Sequence, residues 1–434
     1  MVKKLFKLFH LISFKEYYGF VQGHSYLTAE NIFILSNLVR NFKSYKQIIK
    51  EYENEFTSLI GTGYGLSFAA GRMAFYSLMK VLNIGKGDEV ILVGSTCSVM
   101  PNAVIRTGAK PVFADIDKDT LGSSAAEIEK EITLNTKLIV AQHSFGIPCK
   151  IDEIVALGKR ENIFVLEDCA ISFDSSIDGK KVGNWGDAAI FSTDHSKPIN
   201  TLIGGFFYSK SRELYNKIQN YQENIPNLKS AHQKRLFKQL LWERKFYTPP
   251  KYVYGVILNI LKRKLFPRDN IFTFLEADYS NNPSDEFSSY PYPAKLPPFL
   301  AQLGIYELKR WQDEKKIRVE LLERFKKISI EKNIYQYLPK AYFDKRLEIV
   351  PLRFVFAHCD SKLIKKKMSR YIDISWFWFQ QPIIACNNPA EFGYVYGSCN
   401  ISETLGHEVI NWPCVLDHKY HTQILKIFEK VFSF

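Results

Sequence analysis

The segment Ile163–Phe207, IFVLEDCAISFDSSIDGKKVGNWGDAAIFSTDHSKPINTLIGGFF, carries the pattern on which the fold prediction depends. A short apolar run, 163–166, ends on an acidic pair, and a second apolar run, Ala188–Phe191, ends on a serine. The polar stretch between them is punctuated by glycine, as turns and loops are. Buried strands that each end in a polar side chain are how open α/β sheets build a ligand site at one edge. Alternating strand and helix patterns up to Lys210 predict a mostly parallel sheet with helices on both faces.

Two side chains of this segment suggest its chemistry. Asp168 closes the first apolar run, and Lys197 follows the second, five residues after Ser192. Such a pair suits pyridoxal phosphate (PLP), because lysine forms a Schiff base with the aldehyde and aspartate keeps the pyridinium nitrogen protonated. The alternative is an ordinary ion pair at a strand end, which an isolated aspartate and lysine would favour. The neighbouring motifs decide between the two.

Four blocks of sequence recur in the order and spacing of one enzyme family. They are GDEVILVGSTCSVMPNAVIRTGAKPVFADID (87–117), TKLIVAQHSFGIPCKIDEI (136–154), EDCA (167–170) and FSTDHSK (191–197). Through them the chain resembles the DegT/DnrJ/EryC1/StrS group, enzymes of the aspartate aminotransferase fold that act on nucleotide sugars. The resemblance is clear from Glu53 to Tyr208 and weaker from Leu296 to the C-terminus. One block alone would be weak evidence, whereas four in order are strong.

The resemblance implies a domain organisation. It predicts the α/β architecture of fold-type I PLP enzymes, with a mostly parallel central sheet flanked by helices and a smaller α+β domain at the C-terminus. We therefore expect an N-terminal helical segment (1–55), a large PLP-binding domain (56–215), a basic and aromatic insertion (216–295), and a linking helix with the smaller domain (296–434). A length of 434 residues agrees with more than one core.

The resemblance also implies roles for individual residues. Lys197 would be the catalytic residue, bound to the cofactor and later a proton shuttle, and burial would depress its pKa. Asp168 would hold the pyridine nitrogen. Ser192 would donate its hydroxyl to the cofactor phosphate, beside Gly71 at a helix start, where backbone N–H groups favour anions.

Each of three further candidate residues has two possible roles. Arg72 stands where the family has a hydroxyl, and would supply a charged phosphate contact or else be an exposed arginine on the first helical turn. Cys97 stands where an aromatic residue usually covers the cofactor ring, and would otherwise be a buried cysteine without a role. His143 corresponds to a histidine near the reacting end of the cofactor, but at a strand end it would also serve as a structural hydrogen-bonder.

Other positions depart from the family and make the substrate less predictable. Ile171 replaces a usual glutamine or histidine, and Leu202-Ile203 replaces a usual acid before the Gly-Gly pair. Pro293 and Lys295 stand where relatives have an Asn-x-Arg signature that reaches the neighbouring subunit. Trp376 and Trp378, in ISWFWFQQP, would wall a sugar or base, or else pack one face of an alternating strand.

The charge distribution points to acidic partners. The net charge is +13, and 229–268 holds eleven Lys or Arg and one acid. This favours a diphosphate-bearing substrate or an anionic membrane face, while no nucleic-acid motif accompanies it. The insertion would lie on lipid or cover the mouth of the site.

The first twenty residues would form an amphipathic surface helix or pack on the domain. Seven cysteines without a regular spacing do not predict disulfides or zinc, so a reducing cytoplasm is the simplest setting, with peripheral contact at the inner membrane face.

The function implied is amino transfer from an amino acid, often glutamate in the family, to a keto group of a nucleotide-linked sugar in surface glycan biosynthesis, by a homodimer. Three alternatives stay open at this stage: a dehydratase of the same fold, a PLP enzyme with a non-sugar substrate, and a non-catalytic membrane-associated binding protein. Dehydratases usually replace the lysine, and Lys197 is present.

Overall fold

The computed structural model describes residues 16–40, 46–265, 291–380 and 382–432, without the side chains of 262–264. The amphipathic helix predicted for the first residues lies, up to residue 15, outside this range, as do residues 266–290 of the predicted insertion.

The strands are β1 (Tyr64–Phe68), β2 (Glu89–Val93), β3 (Lys110–Ala114), β4 (Thr136–Gln142), β5 (Phe164–Asp168), β6 (Ser176–Ile177), β7 (Lys180–Lys181), β8 (Ala188–Ser192), β9 (Gly205–Ser209), β10 (Leu347–Glu348), β11 (Arg353–Ala357) and β12 (Val409–Pro413). The helices are α1 (Ala29–Arg40), α2 (Lys46–Ile60), α3 (Gly71–Val81), α4 (Val99–Thr107), α5 (Ala125–Lys130), α6 (Ile151–Glu161), α7 (Arg212–Asn224), α8 (Ser230–Phe246), α9 (Tyr252–Leu265), α10 (Pro298–Glu331), α11 (Ser361–Met368), α12 (Asn400–Glu408) and α13 (His421–Val431).

Seven strands form the central sheet, in the order β1-β9-β8-β5-β4-β2-β3. Neighbours from β8 to β3 pair in parallel, and β9 runs antiparallel to both of its neighbours. The mostly parallel sheet predicted from the apolar runs is therefore confirmed. The parallel strands bring the ends of β5 and β8, with their polar residues, to one edge.

Both faces of the sheet are covered, which explains why its strands are continuous apolar runs. Along β2, Val90 and Leu92 belong to the core shared with α2 and α3, whereas Ile91 belongs to a second core with α6. Successive side chains of a strand point to opposite faces, so one run of five residues supplies both cores.

The helix α10 joins the sheet domain to a smaller C-terminal unit. Its first half, with Trp311, packs in the core of the large sheet, and its second half, with Phe325, packs in a separate core. There Phe354 of β11 and Trp412 of β12 contact Phe325 and Phe428. The two strands are antiparallel and flanked by α11 and α13, which gives the smaller α+β unit its own core.

The insertion forms helices that dock on the rest of the chain. In α8 the side chains of Leu236, Leu240 and Glu243 are buried, and Arg244 Nε donates to the carbonyl of Leu27 at 3.0 Å. Among the described helices, none combines the length and the apolar character that crossing a membrane requires.

Candidate active site

Asp168 and the loop that carries Lys197 lie at the same carboxyl edge of the sheet. Asp168 ends β5, is 5% exposed, and accepts from the N–H of Ala170 at 2.9 Å. Burial raises the pKa of Asp168, and the hydrogen bond from the Ala170 N–H and the charge of Lys197 oppose this. Burial lowers the pKa of Lys197, and Asp194, Cys97 and Asp168 oppose this. The two groups thus act on each other, and the lowered lysine pKa has the direction expected from the sequence.

The loop after β8 presents Lys197. Its backbone N–H donates to the carbonyl of Asp194 at 2.9 Å, while the Asp194 carboxylate accepts from Ser196 Oγ at 3.0 Å. The Lys197 Nζ lies 4.4 Å from the centroid of the Trp378 ring. A desolvated amine with a lowered pKa is the form of lysine that acts as a nucleophile or base.

A helix start adjoins these groups. Gly71 is the first residue of α3, and Ala70 before it provides no side-chain cap. A β-carbon on Gly71 would lie 3.2 Å from the Phe191 carbonyl oxygen and 3.4 Å from Ser192 Cβ. On Gly205 it would lie 2.1 Å from the Gly71 nitrogen. Glycine therefore lets an uncapped helix N-terminus approach the Ser192 hydroxyl, an arrangement that suits a phosphate.

Cys97 and Arg72 lie beside the same edge. Burial raises the pKa of the Cys97 thiol, and the charges of Lys197 and Arg72 act in the opposite direction. The loop that carries Cys97 pairs with the C-terminal unit, since the Ser98 N–H donates to the carbonyl of Ile384 at 2.9 Å. The structure thus brings Cys97 near Lys197, with Arg72 near the same thiol.

His143 is committed to the protein interior. Its Nδ1 accepts from the N–H of Cys149 at 3.0 Å, which leaves Nε2 to donate to Glu167 Oε2 at 3.1 Å. The ring is fully buried, and both nitrogens are occupied. This geometry corresponds to the structural hydrogen-bonding role, which was the alternative to a cofactor contact in the sequence analysis.

The tryptophans of ISWFWFQQP do not lie on a strand, so the expected strand is wrong there. Ile374–Trp376 forms a short 3-10 turn, although burial still alternates, with Phe377 and Phe379 buried. Trp376 packs edge-on against His195 at 5.3 Å, and Trp378 lies over Lys197.

Three residues near the site escaped the sequence analysis: Arg353, His195 and Glu243. The Arg353 guanidinium lies 3.9 Å from the Trp378 ring, and burial lowers its pKa to about 9. The sequence held a signal for two of them. Arg353 is a lone arginine in the apolar run 352–356, and Glu243 is a lone acid in the basic stretch 229–268.

The side chain of Lys295 contacts a helix outside these groups. The Lys295 Nζ donates to the carbonyl of Glu223 at 2.8 Å, at the end of α7. Its side chain is thus turned to the insertion.

The residues present fit PLP. A buried carboxylate and an amine act on each other, and an uncapped helix start meets a serine hydroxyl. In addition, two buried hydroxyls in the loop after β2, of Ser95 and Ser98, have no hydrogen-bond partner within the described part of the chain. Buried hydroxyls without partners are rare, so a polar ligand would complete them.

A sequence model described as the DegT/DnrJ/EryC1/StrS aminotransferase family matches residues 36–240. The resemblance predicted from four short blocks is therefore confirmed over the segment that contains Asp168 and Lys197.

Curated relatives match over the same part of the chain. GDP-perosamine synthase of Escherichia coli O157:H7 is 37% identical over 174 residues, which are 40% of this chain and 48% of that protein. A UDP-N-acetyl-3-dehydro-alpha-D-glucosamine 3-aminotransferase of Acidithiobacillus ferrooxidans is 36% identical, over 38% of this chain and 46% of that protein. The spore coat polysaccharide biosynthesis protein SpsC of Bacillus subtilis is 35% identical, over 39% and 44%. The chain spans about half the length of the curated relatives it matches.

Solved structures match over nearly the whole chain. An aminotransferase from Psychrobacter cryohalolentis superposes with a TM-score of 0.68 at 19% identity, covering 94% of this chain and 97% of that one. The putative sugar aminotransferase Spr1654 of Streptococcus pneumoniae, in its PLP form, gives 0.68 at 17% identity, over 94% and 97%. The predicted fold-type I architecture, including the smaller C-terminal unit, is therefore confirmed.

Proposed function

We propose that this chain is a PLP-dependent aminotransferase that moves an amino group from an amino acid, with glutamate as the first candidate, to a keto group of a nucleotide-linked sugar in surface glycan biosynthesis. The observation that carries the proposal is the parallel pairing of β5 and β8, which brings Asp168 and the loop with Lys197 to one edge of the sheet. The match to the aminotransferase family and the names of the relatives support the reaction and the substrate class.

Each residue has a defined task in this proposal. When bound, PLP supplies an electron sink that lowers the cost of removing a proton next to the amine. Lys197 would hold the cofactor and then move that proton, since its lowered pKa keeps part of the amine neutral. Asp168 would keep the ring nitrogen protonated from a buried position. Ser192 with the backbone of Gly71 would hold the phosphate, with Arg72 as its cation.

The assembly and location are proposed with the function. We expect a homodimer, because relatives of this kind build each site across a subunit interface, and a cytoplasmic enzyme, because the seven cysteines show no disulfide spacing. A peripheral contact with an anionic membrane stays a prediction for α9.

The test starts from the purified protein and PLP. We expect the absorbance band of the lysine-bound cofactor, which Lys197→Ala abolishes and the exposed-site control Lys86→Ala retains. Adding glutamate should convert the band to that of the amine form of the cofactor. An aminotransferase requires this conversion, whereas a dehydratase of the same fold does not. Screening keto-sugar nucleotides should then restore the first band.

Two results would contradict the proposal. A colourless protein that does not bind PLP would favour a non-catalytic binding protein. A band that survives in Lys197→Ala would show that another amine holds the cofactor.

A further inference from the structure

The helix α8 of the insertion covers the loop that carries Lys197, and one buried acid makes the contact. Glu243 is fully buried and is the single acid among the eleven cations of 229–268. Its Oε1 accepts from Gln239 Nε2 at 2.8 Å and lies 3.3 Å from His195 Nδ1. His195 is two residues before Lys197. The insertion is thus joined to the lysine loop through an acid and an imidazole.

The other oxygen of Glu243 faces the N-terminal segment. Its Oε2 lies 3.7 Å from His24 Nδ1, and neither atom has a hydrogen-bond partner within the described residues. The His24 Nε2 donates to the carbonyl of Asn200 at 2.9 Å, and Asn200 Nδ2 donates to the carbonyl of Gln22 at 3.0 Å. Asn200 follows Lys197 by three residues. The far end of the lysine turn is therefore held by the N-terminal segment, which lies beside Glu243.

The backbones approach closely at this contact. A β-carbon on Gly23 would lie 2.6 Å from the Glu243 carbonyl oxygen and 2.8 Å from Tyr247 Cβ. Only glycine permits this distance, so α8 is seated directly on the segment that also holds Asn200. A buried carboxylate in such a place is costly unless its partners compensate it.

The charges around His195 connect Glu243 with the lysine. Asp194 and Glu243 outweigh burial and raise the pKa of His195, whereas the charge of Lys197 lowers it. Because such an interaction is mutual, a protonated His195 in turn favours the neutral amine of Lys197. His24 responds differently, since burial lowers its pKa.

We propose that Glu243 is a positioning residue for Lys197: through His195 it fixes the turn that presents the amine, and it makes the insertion a wall of the active site. This inference rests on the proposed role of Lys197, while the contacts that carry it do not depend on a bound cofactor.

The test measures the amine itself in the cofactor-free protein. Acetylation of Lys197 by acetic anhydride is followed by peptide mass spectrometry across a pH series, which gives the apparent pKa of the amine. In Glu243→Gln, His195 loses one of its two anionic neighbours and Asp194 remains, so the protonated imidazole is less favoured and the Lys197 pKa should rise. At neutral pH the labelling rate should fall by about threefold, because less of the amine is neutral.

Two further variants sharpen the result. His195→Gln removes the neighbouring cation outright, so its effect should be at least as large as that of Glu243→Gln. Lys238→Gln removes an exposed charge from the same helix and should leave the profile unchanged. Identical labelling profiles in the wild type and in both site variants would overturn the proposal.

Hydrogen exchange tests the positioning directly. Glu243→Ala should speed exchange at the amides of 194–203 while the strands of the central sheet stay protected. If Glu243→Ala fails to fold, Glu243→Gln, which keeps the shape of the side chain, takes its place. Unchanged hydrogen exchange in this turn would contradict the positioning role of Glu243.

The PLP absorbance of the wild type separates the two proposals. A wild-type band with no effect of Glu243→Gln on labelling would refute only the positioning role. Altered labelling without any PLP band would refute only the proposed function.

Discussion

At the scale of single residues, one physical cause gives the two central groups opposite shifts. Burial disfavours a charge, so it raises the pKa of Asp168 and lowers that of Lys197. Their mutual attraction limits both shifts. The site therefore depends on how tightly the surrounding backbone packs, and Gly71 at the start of α3 with Gly205 at the start of β9 permits that packing.

Gly205→Ala tests this close approach. The added methyl would lie 2.1 Å from the nitrogen of Gly71 and 2.2 Å from the carbonyl carbon of Ala70, both of which are backbone atoms that cannot rotate away. We expect a loss of about 1–3 kcal/mol or more in the free energy of unfolding, and weaker PLP binding. Urea unfolding and PLP titration measure the two effects.

Gly85→Ala serves as the matched control, because its added methyl meets only the carbonyl oxygen of Thr107, at 3.3 Å. A Gly205→Ala protein with wild-type stability and PLP affinity would mean that α3 can move away from β9 without loss.

At the scale of elements, the insertion divides into two helices with different surroundings. The helix α8 is anchored by buried side chains, including Glu243. The helix α9 exposes apolar side chains, with Leu258 44% and Leu261 50% exposed. The sequence analysis offered two alternatives for the insertion, covering the site or contacting lipid. In the structure, α8 would cover the lysine loop and α9 would contact lipid.

Flotation with liposomes tests the lipid contact of α9. Wild-type protein should float with phosphatidylserine vesicles and less with neutral ones, since each Lys or Arg near an anionic surface contributes about 1 kcal/mol. Leu258→Asp with Leu261→Asp should reduce flotation, because the apolar face is lost.

The control is Leu134→Asp, which changes a 99% exposed leucine at a distant position. Point variants are better suited than deletion of 229–268, because deletion would also remove the buried side chains of α8. Equal flotation of all variants would rule out α9 as the lipid contact.

At the scale of the whole molecule, buried acids between the two cores make stability depend on pH. Glu314 on α10 is 3% exposed, and burial with the neighbouring Glu307 raises its pKa to about 7, against Arg318, Arg310 and His24. Burial also raises the pKa of Glu307. These acids bind a proton more tightly in the folded state than in the unfolded chain, so protonation stabilises the fold.

The free energy of unfolding should therefore fall as the pH rises from about 4.5 to about 7, by at most about 1.4 kcal/mol per pH unit for each group. Glu314→Gln should flatten this dependence, because the amide does not titrate. Chemical unfolding at several pH values measures it. Glu331→Gln, at an exposed position of the same helix, should keep the wild-type slope. An unchanged slope in Glu314→Gln would show that this acid ionises equally in both states.

The sequence by itself determined the central sheet and the pair at its edge. Parallel strands place their carboxyl ends together, so the residues that follow β5 and β8 had to meet, and apolar runs within 163–207 were enough to locate them. The position of that pair is a consequence of local periodicity and of one rule of sheet topology. The phosphate-binding roles of Gly71 and Ser192 were implied by the family resemblance.

Only the tertiary structure decided what surrounds that pair. Glu243, Trp378 and Arg353 come from an insertion and from the C-terminal unit, and their approach to Lys197 depends on how those parts fold back. His143 illustrates the same limit, because its position in the chain fitted both a cofactor contact and a structural role. The direction of its ring is set by the Cys149 amide and the Glu167 carboxylate, which are contacts that no pattern in a single sequence specifies.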